Sequence, residues 1–191
     1  MPVSVDPNLI EKAKGGDHYA FRKVVEALQG FAYAVAFRFV GNRNEAEDIT
    51  QEAFIKFWKN IGKYRPEIKL TTWLYKIIMN LCLDYLKSSQ RKHEIKMEDV
   101  ESNHTLRDQA SQERQLDNIE MLAVIVELAK QLTPKQQSVF ILRDLEALEV
   151  DEVGQITGLD QAQLKSNLYY ARMKIREGIT RYYRETKRIS L

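Results

Sequence analysis

The chain has 191 residues, 44% hydrophobic and 29% charged, enough to bury real cores in one or two small domains and too well patterned for a fibrous or wholly disordered chain. Its 29 Lys and Arg nearly cancel 27 Asp and Glu, and a net charge of +2 excludes a protein that coats nucleic acid or anionic membrane with its whole surface. The lone cysteine, Cys82, excludes a disulfide framework or a cysteine zinc site.

The longest apolar stretches, such as 31–37 and 119–126, fall well short of the roughly 20 residues of a membrane-spanning helix. No signal-peptide pattern follows Met1. A cytoplasmic chain with no direct membrane insertion is therefore expected.

Apolar residues recur at three and four rather than at two, so the ordered chain reads as all-α. Gly15-Gly16, Gly41-Asn42, Gly62, Pro66, Pro134, Gly154 and Gly158 punctuate it. They delimit helices near 8–14, 18–40, 44–62, 70–90, 114–131, 134–146, 150–157 and 161–184. Three starts carry cap signals: Asn44 with Glu47, Thr133 with Pro134 and Gln136, and Asp160 with Gln163.

On helix 44–62, at about 100° per residue, Ala46, Ile49, Ala53, Phe57 and Ile61 share the core face. The opposite face carries Asp48, Gln51, Glu52, Ile55 and Lys59, with Phe54 and Trp58 at its edge. An acidic stripe alone reads as a solvated helix face; aromatics along its rim point instead to a protein partner that buries them. Glu45, Asp48 and Glu52 lie in mutual reach, but no histidine, glycine-rich loop or second carboxylate cluster accompanies them. Neither catalytic carboxylates nor metal ligands are expected there.

Helix 70–90 turns Trp73, Leu74, Ile77, Ile78, Leu81 and Tyr85 inward, and Cys82 in this run reads as a small buried hydrophobe. A second stripe holds Lys76, Asn80, Leu83 and Lys87; two ammoniums around an amide suit phosphates and one base edge. The preceding loop offers Tyr64, Arg65, Lys69, Thr71 and Thr72, the ingredients for holding an unstacked base. A solvated helix behind an ordinary loop is the plainer alternative.

Residues 93–118 hold seven acidic and three basic side chains and no aromatic, a linker composition. The chain accordingly divides into an N-terminal helical domain (1–92), an acidic flexible linker (93–113) and a C-terminal domain (114–191). In the last, helices 134–146 and 150–157, the turn at Thr157-Gly158-Leu159 and a capped helix after Asp160 have helix-turn-helix spacing. The final helix turns Leu164, Leu168, Ala171 and Ile175 inward. Its outer side shows Ser166, Tyr169, Tyr170 and Met173, flanked by Lys165, Arg172, Arg176, Gln163 and Lys174. Eight basic and two acidic residues lie between 165 and 191, so charge is segregated toward this end.

Residues 45–58 (EAEDITQEAFIKFW) resemble the polymerase-binding segment of bacterial extracytoplasmic-function (ECF) sigma factors. Thr72-Trp73-Leu74-Tyr75-Lys76-Ile77, with Asn80 and Asp84-Tyr85-Leu86 behind, is similar to their promoter-melting and minus-ten segment. Residues 132–137 and 164–172 resemble their minus-thirty-five-reading domain. The resemblance implies a two-domain, all-helical transcription initiation factor with no catalytic activity, cofactor or metal. Its partners would be core RNA polymerase, promoter DNA and an anti-sigma factor. Carried over by position, Asp48, Gln51, Glu52, Phe54, Ile55 and Trp58 would meet the clamp helices of the polymerase largest subunit. Tyr64, Arg65, Lys69, Thr71, Trp73, Lys76, Asn80 and Lys87 would serve the minus-ten element, and Gln163, Lys165, Ser166, Tyr169, Tyr170 and Arg172 the minus-thirty-five element. The family often has Arg at the positions of Asn167 and Tyr170 and Thr at that of Gln163, so the target sequence does not carry over. The alternative is a free-standing helix-turn-helix regulator whose N-terminal helices dimerise or sense.

Overall fold

The structure, a computed structural model, describes the backbone of residues 5–95 and 113–189 and the side chains of 5–88 and 120–184. Eight α-helices run along the described residues: α1 Pro7–Lys14, α2 His18–Val40, α3 Arg43–Asn60, α4 Leu70–Ile95, α5 Glu113–Lys130, α6 Pro134–Phe140, α7 Val150–Thr157 and α8 Gln161–Ile189. A 3-10 turn, Ile61–Lys63, extends α3, and a π turn, Ile141–Leu145, extends α6. No strand occurs among the described residues, and no helix there is long and apolar enough to cross a membrane. Most of the expected linker, 96–112, lies outside the described residues.

The caps follow the local chemistry. Thr133 and Gln136 form a reciprocal capping box at α6, and Asp160 and Gln163 exchange the same pair of bonds at α8, at 2.8 and 3.2 Å. The cap expected at Asn44 sits two residues earlier. Asn42 is the extended residue, its Oδ1 accepts from the Glu45 amide at 3.2 Å, and Asn44 already lies inside the first turn. The shift arises because α2 stops at Gly41, whose left-handed φ of 64° closes that helix and leaves Asn42 next in line.

In the N-terminal half α2, α3 and α4 converge on Val24, Leu28, Phe39, Phe57, Leu74 and Ile78, all fully buried. Each such side chain contributes about 1.5–3 kcal/mol by leaving water. Cys82 joins this core. The C-terminal half packs α6 and α7 against α8 around Val139, Ile141, Leu142, Val153, Ile156 and Ala171. Leu128 of α5 covers Gly178, where any Cβ would come within 2.4 Å of the Leu128 Cδ2.

The two halves also pack on each other, which no periodicity in the sequence predicts. α4 lies against α7 and α2 against α5. At the seam the buried Gln137 amide donates from Nε2 to the Phe39 carbonyl at 3.1 Å, supplying a donor to a carbonyl in the last turn of α2.

Candidate protein- and nucleic-acid-binding surfaces

α3 presents Asp48, Gln51, Glu52, Ile55 and Lys59 to solvent. Ile55 is 53% exposed, an aliphatic side chain standing in a polar, acidic stripe. Glu52 pairs with Lys56, at 3.1 Å on its own helix. The expected aromatic rim is not there. Phe54 is 8% exposed and packs edge-on to Phe57 at 6.3 Å, and Trp58 is half-buried, with its ring 4.9 Å from His18 and 4.6 Å from Phe21. Those two rings lie closer to the core face than the helical wheel places them, because the start of α2 folds over that edge of α3. A partner would meet the stripe and Ile55.

Loop 64–69 and the start of α4 form a second surface. Tyr64 donates its hydroxyl to the Ile68 carbonyl at 2.9 Å and lays its ring 5.6 Å from Trp73, which in turn packs at a tilt against Phe57, 4.9 Å between ring centres. Trp73 is thus half-buried and braces the loop from below, while Arg65 and Lys69 project to solvent and Thr71 is half-buried. Further along α4, Lys76, Asn80 and Lys87 are all exposed, on the one stripe expected for them. Lys87 lies 4.0 Å from Asp84, a surface pair of little energetic weight.

The third surface is the start of α8. Gln163, Lys165 and Ser166 are exposed, and Tyr169 and Tyr170 stand out at 64% and 48% exposure with their rings edge-on at 5.4 Å. Leu164, Ala171 and Ile175 are buried and Leu168 half-buried, as the periodicity requires. Gly158 closes α7 with φ 73°, giving the tight turn between the two helices. Arg172 is held by Asp144, so it does not stand free beside Lys165.

One cluster has no counterpart in the sequence pattern. Glu152 of α7 accepts from the Thr72 hydroxyl at 2.6 Å and from Lys69 Nζ at 3.3 Å; Glu146 accepts from the Tyr75 hydroxyl at 2.7 Å and pairs with Arg38. Burial first, then the adjacent Glu146, pushes the Tyr75 hydroxyl far above the usual phenol range. Contacts over 71 to 108 residues of separation leave no trace in local pattern. Among the described residues no group of three or more His, Cys, Asp or Glu is arranged to hold a metal ion.

The Sigma-70 region 2 family matches residues 24–92, from the middle of α2 through α4, and the Sigma-70 region 4 family matches residues 122–175, from α5 into α8. The chain is 29% identical over 186 residues to the RNA polymerase sigma-H factor of Pseudomonas aeruginosa, covering 94% of this chain and 96% of that one. It is 28% identical over 174 residues to the ECF RNA polymerase sigma factor SigW of Bacillus subtilis, covering 88% and 93%. The chain belongs to the ECF sigma factors. Two solved structures share the fold of this sigma factor: RpoE of Bartonella quintana in complex with the anti-sigma factor NepR (TM-score 0.65, 17% identity, 84% of this chain and 96% of that one) and CnrH in complex with the cytosolic domain of CnrY (0.63, 20%, 91% and 96%). As an ECF sigma factor it is a transcription initiation factor that directs RNA polymerase to promoters.

Proposed function

We propose that this sigma factor docks on the clamp helices of core polymerase through Asp48, Gln51, Glu52 and Ile55, with Phe54 and Trp58 supporting that face from inside. It reads the minus-ten element through Tyr64, Arg65, Lys69, Thr71, Lys76, Asn80 and Lys87, with Trp73 as the brace, and the minus-thirty-five element through Gln163, Lys165, Ser166, Tyr169, Tyr170 and Arg172. The units doing this are residues 1–92 and 114–191, joined by 93–113. Polymerase supplies all the chemistry; the factor positions and opens DNA.

The observation that carries this reading is the solvent-facing acidic stripe with Ile55 on α3, rigidly joined through Phe57 and Trp73 to the loop that would hold a base. A lone regulator has no use for both on one core. Binding one strand of an opened duplex requires an unstacked base, which costs a few kcal/mol, and polymerase docking makes that cost bearable. An anti-sigma partner in the cytoplasm is part of the proposal, supported by the two similar folds that were solved with such partners.

In vitro transcription on genomic fragments, with core polymerase and with or without this chain, tests it. Discrete promoter-specific transcripts are expected only with both. Tight sequence-specific duplex binding by the chain alone, with no transcripts on adding polymerase, would favour the free-standing regulator.

A further inference from the structure

Near the start of α8, the side chains of the types that read bases by hydrogen bonding are mostly engaged within the chain. Gln163 turns its Oε1 back to accept from the Asp160 amide at 3.2 Å, and Asn167 donates from Nδ2 to the Gln163 carbonyl at 2.8 Å. Arg172, of the residue type that most often pairs guanine, gives both prongs of its guanidinium to Asp144. The middle of the exposed face is left to Ser166, Tyr169, Tyr170 and Met173, all exposed and none charged.

At about 3.6 residues per turn, Lys165 and Arg176 fall on one edge of that face and Lys174 on the other, and all three are exposed. Cations at both edges with an uncharged strip between them match a major groove, whose walls are phosphate and whose floor is bases. Ser166 to Met173 covers about 10 Å of helix axis, within the ~12 Å width of that groove. The apolar group on its floor is the C5 methyl of thymine. Tyr169 and Tyr170 brace each other edge-on at 5.4 Å, and one turn further on Met173 is 39% exposed, an unbranched thioether that adapts to the shape it meets.

We propose that α8 reads its duplex element chiefly through thymine methyl groups, contacted by Tyr169, Tyr170 and Met173, with guanine confined to the end that Lys165 reaches. This rests on the minus-thirty-five reading given above and names its substrate: a run of A·T pairs whose methyls line the major groove. Each buried methyl contributes about fourfold in affinity.

The test uses the full-length chain with core polymerase, on a promoter recovered by the in vitro transcription described above. The minus-thirty-five element is randomised and the templates that the complex retains are sequenced; A·T pairs are expected through the middle of the element. Deoxyuridine then replaces each selected thymine in turn, which removes the C5 methyl and leaves base pairing unchanged. Replacement at a contacted position should weaken binding about fourfold. Met173→Ala should abolish that penalty at one position and keep the others, and Tyr170→Ala should do the same at a neighbouring position. Deoxyuridine templates bound as tightly as thymine templates would assign any A·T preference to groove shape and overturn the methyl reading, as would selection of guanine through the middle. Penalties that persist in both variants would take the methyls away from these side chains. In each of those cases promoter-specific transcripts leave the minus-thirty-five reading standing, whereas a selection with no preference at any position would remove α8 from the element and this inference with it.

Discussion

Arg172 and Asp144 form a two-pronged ion pair, Nε to Oδ2 at 2.8 Å and Nη2 to Oδ1 at 2.6 Å, that ties α8 to the π turn before α7. The hydrogen bond to Asp144 pushes the guanidinium pKa further up, so Arg172 stays charged, yet its charge is already matched. Lys165 has no such match among its described contacts and lies one turn into the helix. Lys165→Ala is therefore expected to weaken duplex binding and to reduce the salt slope by about one, whereas Arg172→Ala should reduce it by less. Affinity for a promoter duplex measured across a salt series checks this; a larger slope change for Arg172 would mean that DNA displaces Asp144.

α3 separates stability from docking by which way a residue points. Asp48→Arg and Glu52→Arg, both exposed, should move unfolding free energy by about 0.5 kcal/mol or less. Their affinity for core polymerase should fall at least about tenfold, because a reversed charge meets the surface that the native charge complements. Phe57→Ala, on the inward side and fully buried against Phe21, Phe54 and Trp73, should cost about 3–5 kcal/mol in urea unfolding. Wild-type polymerase affinity in the two charge variants would remove α3 from the interface.

Asn80 is exposed between Lys76 and Lys87, and an amide there can read the polar edge of a base only once the base has left the stack. Asn80→Ala is expected to leave polymerase binding intact and to lower open-complex formation, with a smaller deficit on a template already mismatched at the minus-ten region. Permanganate footprinting of the bubble reads this directly. Normal opening on paired DNA would assign Asn80 to solvent.

Cys82 gives a pH and accessibility prediction. Burial pushes its thiol far above the usual range, so the native state favours the protonated form. The sign follows: this contribution to stability is fully present below the ordinary thiol pKa of about 8.5 and is lost as pH rises toward the native value. Ellman's reagent should label Cys82 slowly in the native chain and rapidly once urea unfolds it. Rapid labelling of the folded chain at mildly alkaline pH would show that the α2–α4 core opens locally.

The helices were legible in the sequence because each has both a period and punctuation: Thr133 with Gln136, Asp160 with Gln163, and glycines at 41 and 158. The surfaces on α4 and α8 were legible for the same reason, since a stripe such as Lys76, Asn80 and Lys87 is fixed by helical geometry alone. Phe54 and Trp58 were misplaced as a rim because a wheel drawn on one helix does not know that His18 and Phe21 arrive from α2. Glu146 and Glu152 were invisible for a related reason. Their partners lie in the other half of the chain; Glu152, beside Asp151 in the first turn of α7, looks like an ordinary first-turn acid, and Glu146 merely follows the π turn.

α8 runs unbroken from Gln161 to Ile189, and a helix advances about 1.5 Å per residue. Arg181 and Arg184 therefore stand about 24–28 Å along the axis from Lys165, whereas a major groove is only about 8.5 Å deep. The basic excess of this last segment is thus spread along a rod, and its far end cannot share a groove with the reading residues. α8 works as a spacer as well as a probe: whatever passes beside Arg181 and Arg184 is held at a fixed stand-off from the bases that Lys165 and Ser166 face.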